Sequence, residues 1–311
     1  MTRKANLFVL LCLSAGLLGC ATPDAQKFID QYRLQPSVGP LYEIVGQEQV
    51  VGWLYGSVHY GSIEQPSMSR AAVRTMAGTR HIYFEHTDGP GSSWEMRDAV
   101  AQSPEEVAQA KKKAARASVK DVWHGIAAAT ELRKRSTGVL ALDRNPCYQQ
   151  AFALTWNYCG AFYEYGTERL AFVFAAGKDM AIHALEPDSR ITAPGPTAAV
   201  DCRAPPAGAP NASPVEPDDE GMRQELDRGV CRNIAAQLLA DQSKDRPTPV
   251  ALNEADFRTL EERNRTMAAR TVQAIRTGET PFVIVGRAHL TYGKNLIQLL
   301  EEQGFALRRI D

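Results

Sequence analysis

The stretch VVGWLYGSVHYGSIEQPSMSRAAVRTMAGTRHIYFEH, residues 50–86, decides the fold. It opens on an apolar run rich in β-branched and aromatic residues, which is strand chemistry. It then passes through a polar loop into QPSMSRAAVRTMAGTR, where apolar residues recur at helical spacing between Ser67, a candidate N-cap, and Gly78, a stop. The short strand HIYFE closes it, ending in Glu85. Strand, helix and strand joined by brief connections predict an α/β layer. The same reading places His59 and Glu85 at corresponding ends of neighbouring parallel strands.

Working outward, LYEIV (41–45) lies before Gly46-Gln47-Glu48-Gln49, so the chain is expected to enter this layer through a β-hairpin. Residues 104–136 read as two polar-faced helices, with Lys111, Lys112 and Lys113 on a solvated face. The segment GTERLAFVFAAGKDMAIHALE (166–186) returns to the pattern: a helix, a stop at Gly177, a strand, and again an acid, Glu186. Between Thr192 and Asp219 stand seven prolines and almost no large apolar side chain, which marks an insertion over 192–220. Helices resume over about 221–241 and 253–277, the second capped by Asn253 with Asp256 three residues on and terminated by Gly278. PFVIV then leads to His289, and KNLIQLLEEQG and FALRRI supply a last helix and strand. The expected fold class is α/β, a central and largely parallel sheet flanked by helices.

With 311 residues, 44% hydrophobic, and a net charge of −1, the chain carries no nucleic-acid footprint. Arg3 and Lys4 precede an uncharged run from Leu7 to Gly19, which suits a signal peptide and is too short to span a bilayer. Leu17-Leu18-Gly19-Cys20 resembles a bacterial lipobox. The expected organisation is therefore a lipoprotein signal over 1–19, a lipidated Cys20, a tether over 20–40, and one domain over 41–311. Ala21 after the cysteine favours an outer-membrane anchor facing the periplasm. Besides Cys12 and Cys20, four cysteines remain, and in an oxidising envelope Cys147, Cys159, Cys202 and Cys231 are expected to form two disulfides. The preferred pairing is Cys147 with Cys159 and Cys202 with Cys231. It requires a bend between the first two, since unbroken helix would separate them by about 18 Å. No CxxC pair points to a zinc site.

Sites in α/β sheets gather at the carboxyl ends of strands, and here four strands end near His59, Glu85, Glu186 and His289. Two histidines and a carboxylate suit a catalytic metal that keeps positions open for water and substrate. Gly56 and Gly286 each precede a histidine by three residues and would let backbone approach closely. The competing reading is of structural histidines hydrogen-bonded at strand ends. His81, His86, His124 and His183 are read as structural or exposed.

The pair GSVH and GRAH, the acid in YFE, the Arg-Asn of ERNRTMA, GTE at 166–168 and Glu186 together resemble the TraB/PrgY/GumN family, also called Tiki-like. The resemblance runs from about Leu41 to the C-terminus, interrupted by the insertion. It implies a Tiki-like α/β fold and, for some members, metal-dependent peptide hydrolysis, here expected at the envelope because of the lipobox-like segment. On that reading a divalent cation of unassigned identity sits on His59, Glu85 and His289. Glu186 is its base or orienting group, Arg263 stabilises an oxyanion and Asn264 positions a substrate amide. Arg287 departs from the family's small residue and brings a guanidinium that would repel a cation or bind an anionic substrate. Two alternatives stay open: a non-catalytic lipoprotein that sequesters peptides, and a haem-binding lipoprotein of the ChaN-like kind.

Overall fold

The computed structural model describes residues 22–36, 38–62, 64–85, 119–135, 145–162, 165–186, 218–236 and 253–310, with isolated helical positions between 105 and 112. Cys20, Cys202, His86 and most of the proline-rich insertion lie outside these residues. Among the described residues no helix is long and apolar enough to cross a membrane.

Six strands form one sheet: β1 (Leu41–Gly46), β2 (Gln49–Ser57), β3 (His81–Phe84), β4 (Ala181–Ala184), β5 (Pro281–Gly286) and β6 (Ala306–Arg309). Their order is β4-β3-β5-β2-β1-β6. β1 and β2 make the expected hairpin, closed by Gln47 and Glu48 at φ 51° and 64°. Two positive φ values in a two-residue loop match the right-handed twist of the flanking strands. The ladders β2–β5, β5–β3 and β3–β4 are parallel, while β6 returns antiparallel to β1.

One expectation is corrected: β2 and β3 are not neighbours, because β5 lies between them. PFVIVG is buried along nearly its whole length, as a central parallel strand covered on both faces must be. The shorter, half-buried AIHA of β4 sits at the edge.

Side-chain alternation sorts the core into two layers. Tyr55, Ile82, Phe84, Phe282 and Ile284 face α1 (Pro23–Gln31), α2 (Arg70–Met76) and α5 (Thr167–Ala176). Leu54, Tyr83, Val283 and Val285 face α7 (Glu254–Arg276) and α9 (Leu296–Glu302). α2 is capped by Ser69, whose hydroxyl accepts from the Ala72 N–H at 3.0 Å, and not by Ser67, which is buried with its hydroxyl donated to the Tyr60 carbonyl at 2.5 Å. The buried Tyr55 hydroxyl accepts from the Ser69 N–H at 3.1 Å and so fixes where α2 begins. α7 starts on the expected capping box of Asn253 and Asp256, and Gly278 follows its end at φ +88°.

α3 (Val119–Arg135), α4 (Pro146–Tyr158) and α6 (Asp219–Glu225) build smaller apolar clusters around Val122, Trp156, Met222 and Leu226. A π-helical stretch, Leu226–Cys231, brings Cys231 to Cys159, and their sulfurs are bonded. The expected Cys147–Cys159 pairing is thereby overturned. α4 runs unbroken from Pro146 to Tyr158, so the bend that pairing required does not occur. Cys147 is also in a disulfide.

Candidate functional site

The carboxyl ends of β4, β3, β5 and β2 lie side by side, and each delivers a polar residue to one edge of the sheet. At the β2 end the backbone of GSVH is zipped to GTE. The Val58 N–H donates to the Thr167 hydroxyl at 3.1 Å, and the Thr167 N–H donates to the Val58 carbonyl at 2.8 Å. His59 is thus held over the first turn of α5, its Nδ1 at 3.1 Å from Glu168 Oε1. The Ser57 hydroxyl donates to the same oxygen. The His59 side chain is 62% exposed and that of Glu168 18%, so the carboxylate anchors a ring that reaches into solvent. Burial would raise the Glu168 carboxyl, but the charge of His59 and the hydrogen bonds from His59 and Ser57 outweigh it and lower it. Glu168 Oε2 is buried without a hydrogen bond among the described residues.

At the β3 and β4 ends the ladder continues one step, the Glu186 N–H donating to the Glu85 carbonyl at 3.1 Å, which sets two carboxylates next to one another. Arg263, from α7, bridges them. Its Nε lies 2.9 Å and 3.1 Å from the two oxygens of Glu186, and its Nη2 lies 2.9 Å from Glu186 Oε2 and 3.0 Å from Glu85 Oε2. The other Glu85 oxygen accepts the Gly286 N–H. Burial would push the Glu85 carboxyl up; the His289 charge and contact, the Arg263 guanidinium and the Gly286 N–H hold it well below the usual carboxylate range. Arg263 is in turn raised, because the two carboxylates outweigh its own desolvation.

His289 lies in a short helical turn, α8 (Ala288–Thr291), rather than directly on the strand end. The neighbouring helical position, Asn264, is fully buried and points to it. Asn264 Nδ2 donates to the Lys294 carbonyl at 3.0 Å, which leaves Oδ1 facing His289 Nδ1 at 2.5 Å. That contact requires the proton on Nδ1. Nε2 is then aimed at Glu85 Oε2, 3.5 Å away. Asn264 therefore sets the ring of His289 and is not displayed to a substrate.

The two glycines have separate reasons. A Cβ on Gly286 would meet Glu85 Oε1 at 2.9 Å, so this glycine admits the carboxylate. A Cβ on Gly56 would meet Pro40 Cγ at 2.8 Å and Leu290 Cδ1 at 2.9 Å. Gly56→Ala is accordingly expected to lower stability by about 1–3 kcal/mol through overpacking, read as a lower urea midpoint at unchanged slope.

Of the sequence-predicted residues, Glu85, Glu186, Arg263, Asn264 and His289 come together. His59 stands at the end of β2, separated from Glu85 by β5, which is about 10 Å at ordinary strand spacing. Its partner Glu168 was given no chemical role in the sequence reading; an acid in the first turn of a helix reads as a dipole effect, and only the GTE resemblance marked it. Arg287 is buried, its backbone N–H donating to the Ser57 carbonyl at 3.3 Å, and so presents no exposed guanidinium for an anion.

At this edge of the sheet a cation would take its donors from Glu85 and His289. With Nδ1 committed to Asn264, His289 Nε2 lies 3.5 Å from Glu85 Oε2, close to the separation of two ligands that each lie about 2.0–2.1 Å from one tetrahedral ion. His59, Glu85 and His289 do not place all three donor atoms within 4.8 Å of one another; among the described residues the group that does is His81, His183 and Glu279.

No curated protein and no solved structure matches the chain significantly. Residues 237–309 match the TraB/PrgY/gumN family model, a span that holds Arg263, Asn264, β5 and His289. Over this span, which holds His289 and its partners on α7 but not Glu85, the chain is similar to the TraB/PrgY/gumN family.

Proposed function

We propose that the protein is a lipid-anchored envelope hydrolase, a metal-dependent peptidase whose centre is the carboxyl edge of the sheet. The observation that carries the reading is His289, its tautomer set by Asn264 and its Nε2 turned toward Glu85. Glu85 and His289 would hold the ion, while His59 stands apart from them at the β2 end. A bound divalent cation supplies a water of lowered pKa and polarises a carbonyl.

The chain's own groups do the rest. Arg263 grips both Glu85 and Glu186, so neither carboxylate swings when substrate enters. Glu168 orients His59 through Nδ1, and the exposed ring would exchange a proton at a substrate amide, the arrangement of a base held by a second carboxylate. The peptide substrate and the envelope location rest on the family resemblance and on the lipobox-like segment before Cys20.

The test is metal analysis of the purified protein together with cleavage of a peptide library. His289→Ala and Glu85→Gln are expected to weaken metal binding at this centre more than about 10-fold and to abolish turnover, while His59→Ala lowers turnover by about 10²–10⁴-fold. Full turnover in His289→Ala would overturn the reading. Tight peptide binding without cleavage by metal-loaded protein would favour sequestration instead. For the anchor, palmitate labelling should disappear in Cys20→Ala, and labelling that persists in that variant would exclude acylation at this cysteine.

A further inference from the structure

The geometry points to a second cation site toward the amino ends of β3 and β5, formed by His81, His183 of the edge strand and Glu279, and suited to a first-row divalent ion such as Zn²⁺. Its residues come from three elements that chain order keeps far apart. The β3–β4 register sets Tyr83 opposite His183, and the β3–β5 register sets His81 opposite Pro281, two residues after Glu279. His81 therefore stands between the edge strand and the turn that joins α7 to β5.

His81 Nδ1 lies 3.1 Å from His183 Nε2 and 3.6 Å from Glu279 Oε2, and all three donor atoms fall within 4.8 Å of one another. Ligands about 2.0–2.1 Å from a common tetrahedral ion are separated by roughly 3.3 Å, so shifts of a few tenths of an ångström would complete the triangle. Two imidazole nitrogens at 3.1 Å cannot both present lone pairs to each other without repulsion. A proton on one relieves it, and so does a shared cation.

The surroundings hold this arrangement before any ion arrives. The Tyr83 hydroxyl donates to Glu279 Oε2 at 2.5 Å and so aims the carboxylate. The His183 ring stacks on Tyr83 at 4.5 Å and 18°, and lies 5.4 Å and 20° from the ring of His81. Side-chain exposures of 32% for His81 and 27% for Glu279 leave room for ion entry and for water in the remaining coordination positions. Two imidazoles and one carboxylate select a borderline transition ion over Mg²⁺ or Ca²⁺, which take oxygen donors.

The four residues from His81 to Glu85 span about 13 Å of extended chain, so this site is separate from the Glu85–His289 centre and does not depend on the function proposed for that centre. An ion here would tie the edge strand β4 to β3 and to the α7–β5 turn. β4 carries Glu186 three residues beyond His183, so the tie would also steady the acid that Arg263 grips.

The experiment is titration of the metal-stripped full-length protein with Zn²⁺ by calorimetry, paired with Co²⁺ absorption, on wild type, His81→Ala, His183→Ala, Glu279→Gln and His289→Ala. One equivalent should weaken more than about 10-fold in the first three variants and persist in His289→Ala, and the Co²⁺ ligand-field bands of that equivalent should follow the same pattern. Glu279→Gln alters a half-exposed turn residue and keeps its shape, so it tests the site even if a histidine variant folds poorly. Unchanged Zn²⁺ stoichiometry and affinity in folded Glu279→Gln and His183→Ala would overturn the proposal. Loss of the equivalent only in His289→Ala would overturn it too, and would leave the centre at the carboxyl edge standing.

Discussion

Arg263→Ala is expected to lower stability by about 3–5 kcal/mol, the loss that follows when one partner of a buried ion cluster is removed. The side chains left behind, Glu186 at 4% exposure and Glu85 at 16%, would face each other as neighbouring carboxylates with no cation between them. Arg263→Lys should recover only part of the loss, because an ammonium is a point charge and cannot reproduce the contacts that Nε and Nη2 make across both acids. A triple variant, Glu85→Gln, Glu186→Gln and Arg263→Met, removes all the charge together and should lie closer to wild type than Arg263→Ala does. Urea unfolding at neutral pH measures all three. A loss below about 1 kcal/mol in Arg263→Ala would show that the clamp contributes no more than a surface ion pair. A guanidinium that served only a substrate oxyanion would instead give lower turnover with little loss of stability in the same variant.

The second large effect concerns Cys159 and Cys231. Their bond closes a segment of 72 residues, and the chain-entropy relation gives about 4 kcal/mol for a loop of that length. The double variant Cys159→Ser and Cys231→Ser is expected to unfold at a correspondingly lower urea concentration. It isolates this bond better than a reductant does, since Cys147 is disulfide-bonded as well. Digestion under non-reducing conditions should yield a linked peptide pair containing Cys159 and Cys231. A Cys147–Cys159 linkage, or an unfolding midpoint that the double variant leaves in place, would contradict the structure.

Much of the architecture was legible residue by residue because its signals are local. Alternating or continuous apolar runs gave the strands, and Asn253 with Asp256, Gly177 and Gly278 bounded helices where caps and stops act within one turn. The hairpin at Gln47 and Glu48 is local as well. Where two signals of the same kind competed, the choice needed the packed chain: Ser69 and not Ser67 caps α2, because the buried Tyr55 hydroxyl holds the Ser69 N–H.

Which polar residues stand at strand ends is written locally in the chain: His59, Glu85, Glu186 and His289 each follow an apolar run, and Arg263 and Asn264 occupy adjacent positions on one long helix. Only the tertiary structure decided who meets whom. Inserting β5 between β2 and β3 brings Glu85 to Gly286 and His289 while leaving His59 to Glu168. The same register collects His81, His183 and Glu279, which no spacing in the sequence connects, and the unbroken helix α4 carries Cys159 away from Cys147 and toward Cys231. The physical reason is the range of the forces involved. Propensity, capping and turn preferences act over a few neighbouring residues, whereas strand order is set by which apolar faces can be covered on both sides at once, and each side chain's partner follows from that order.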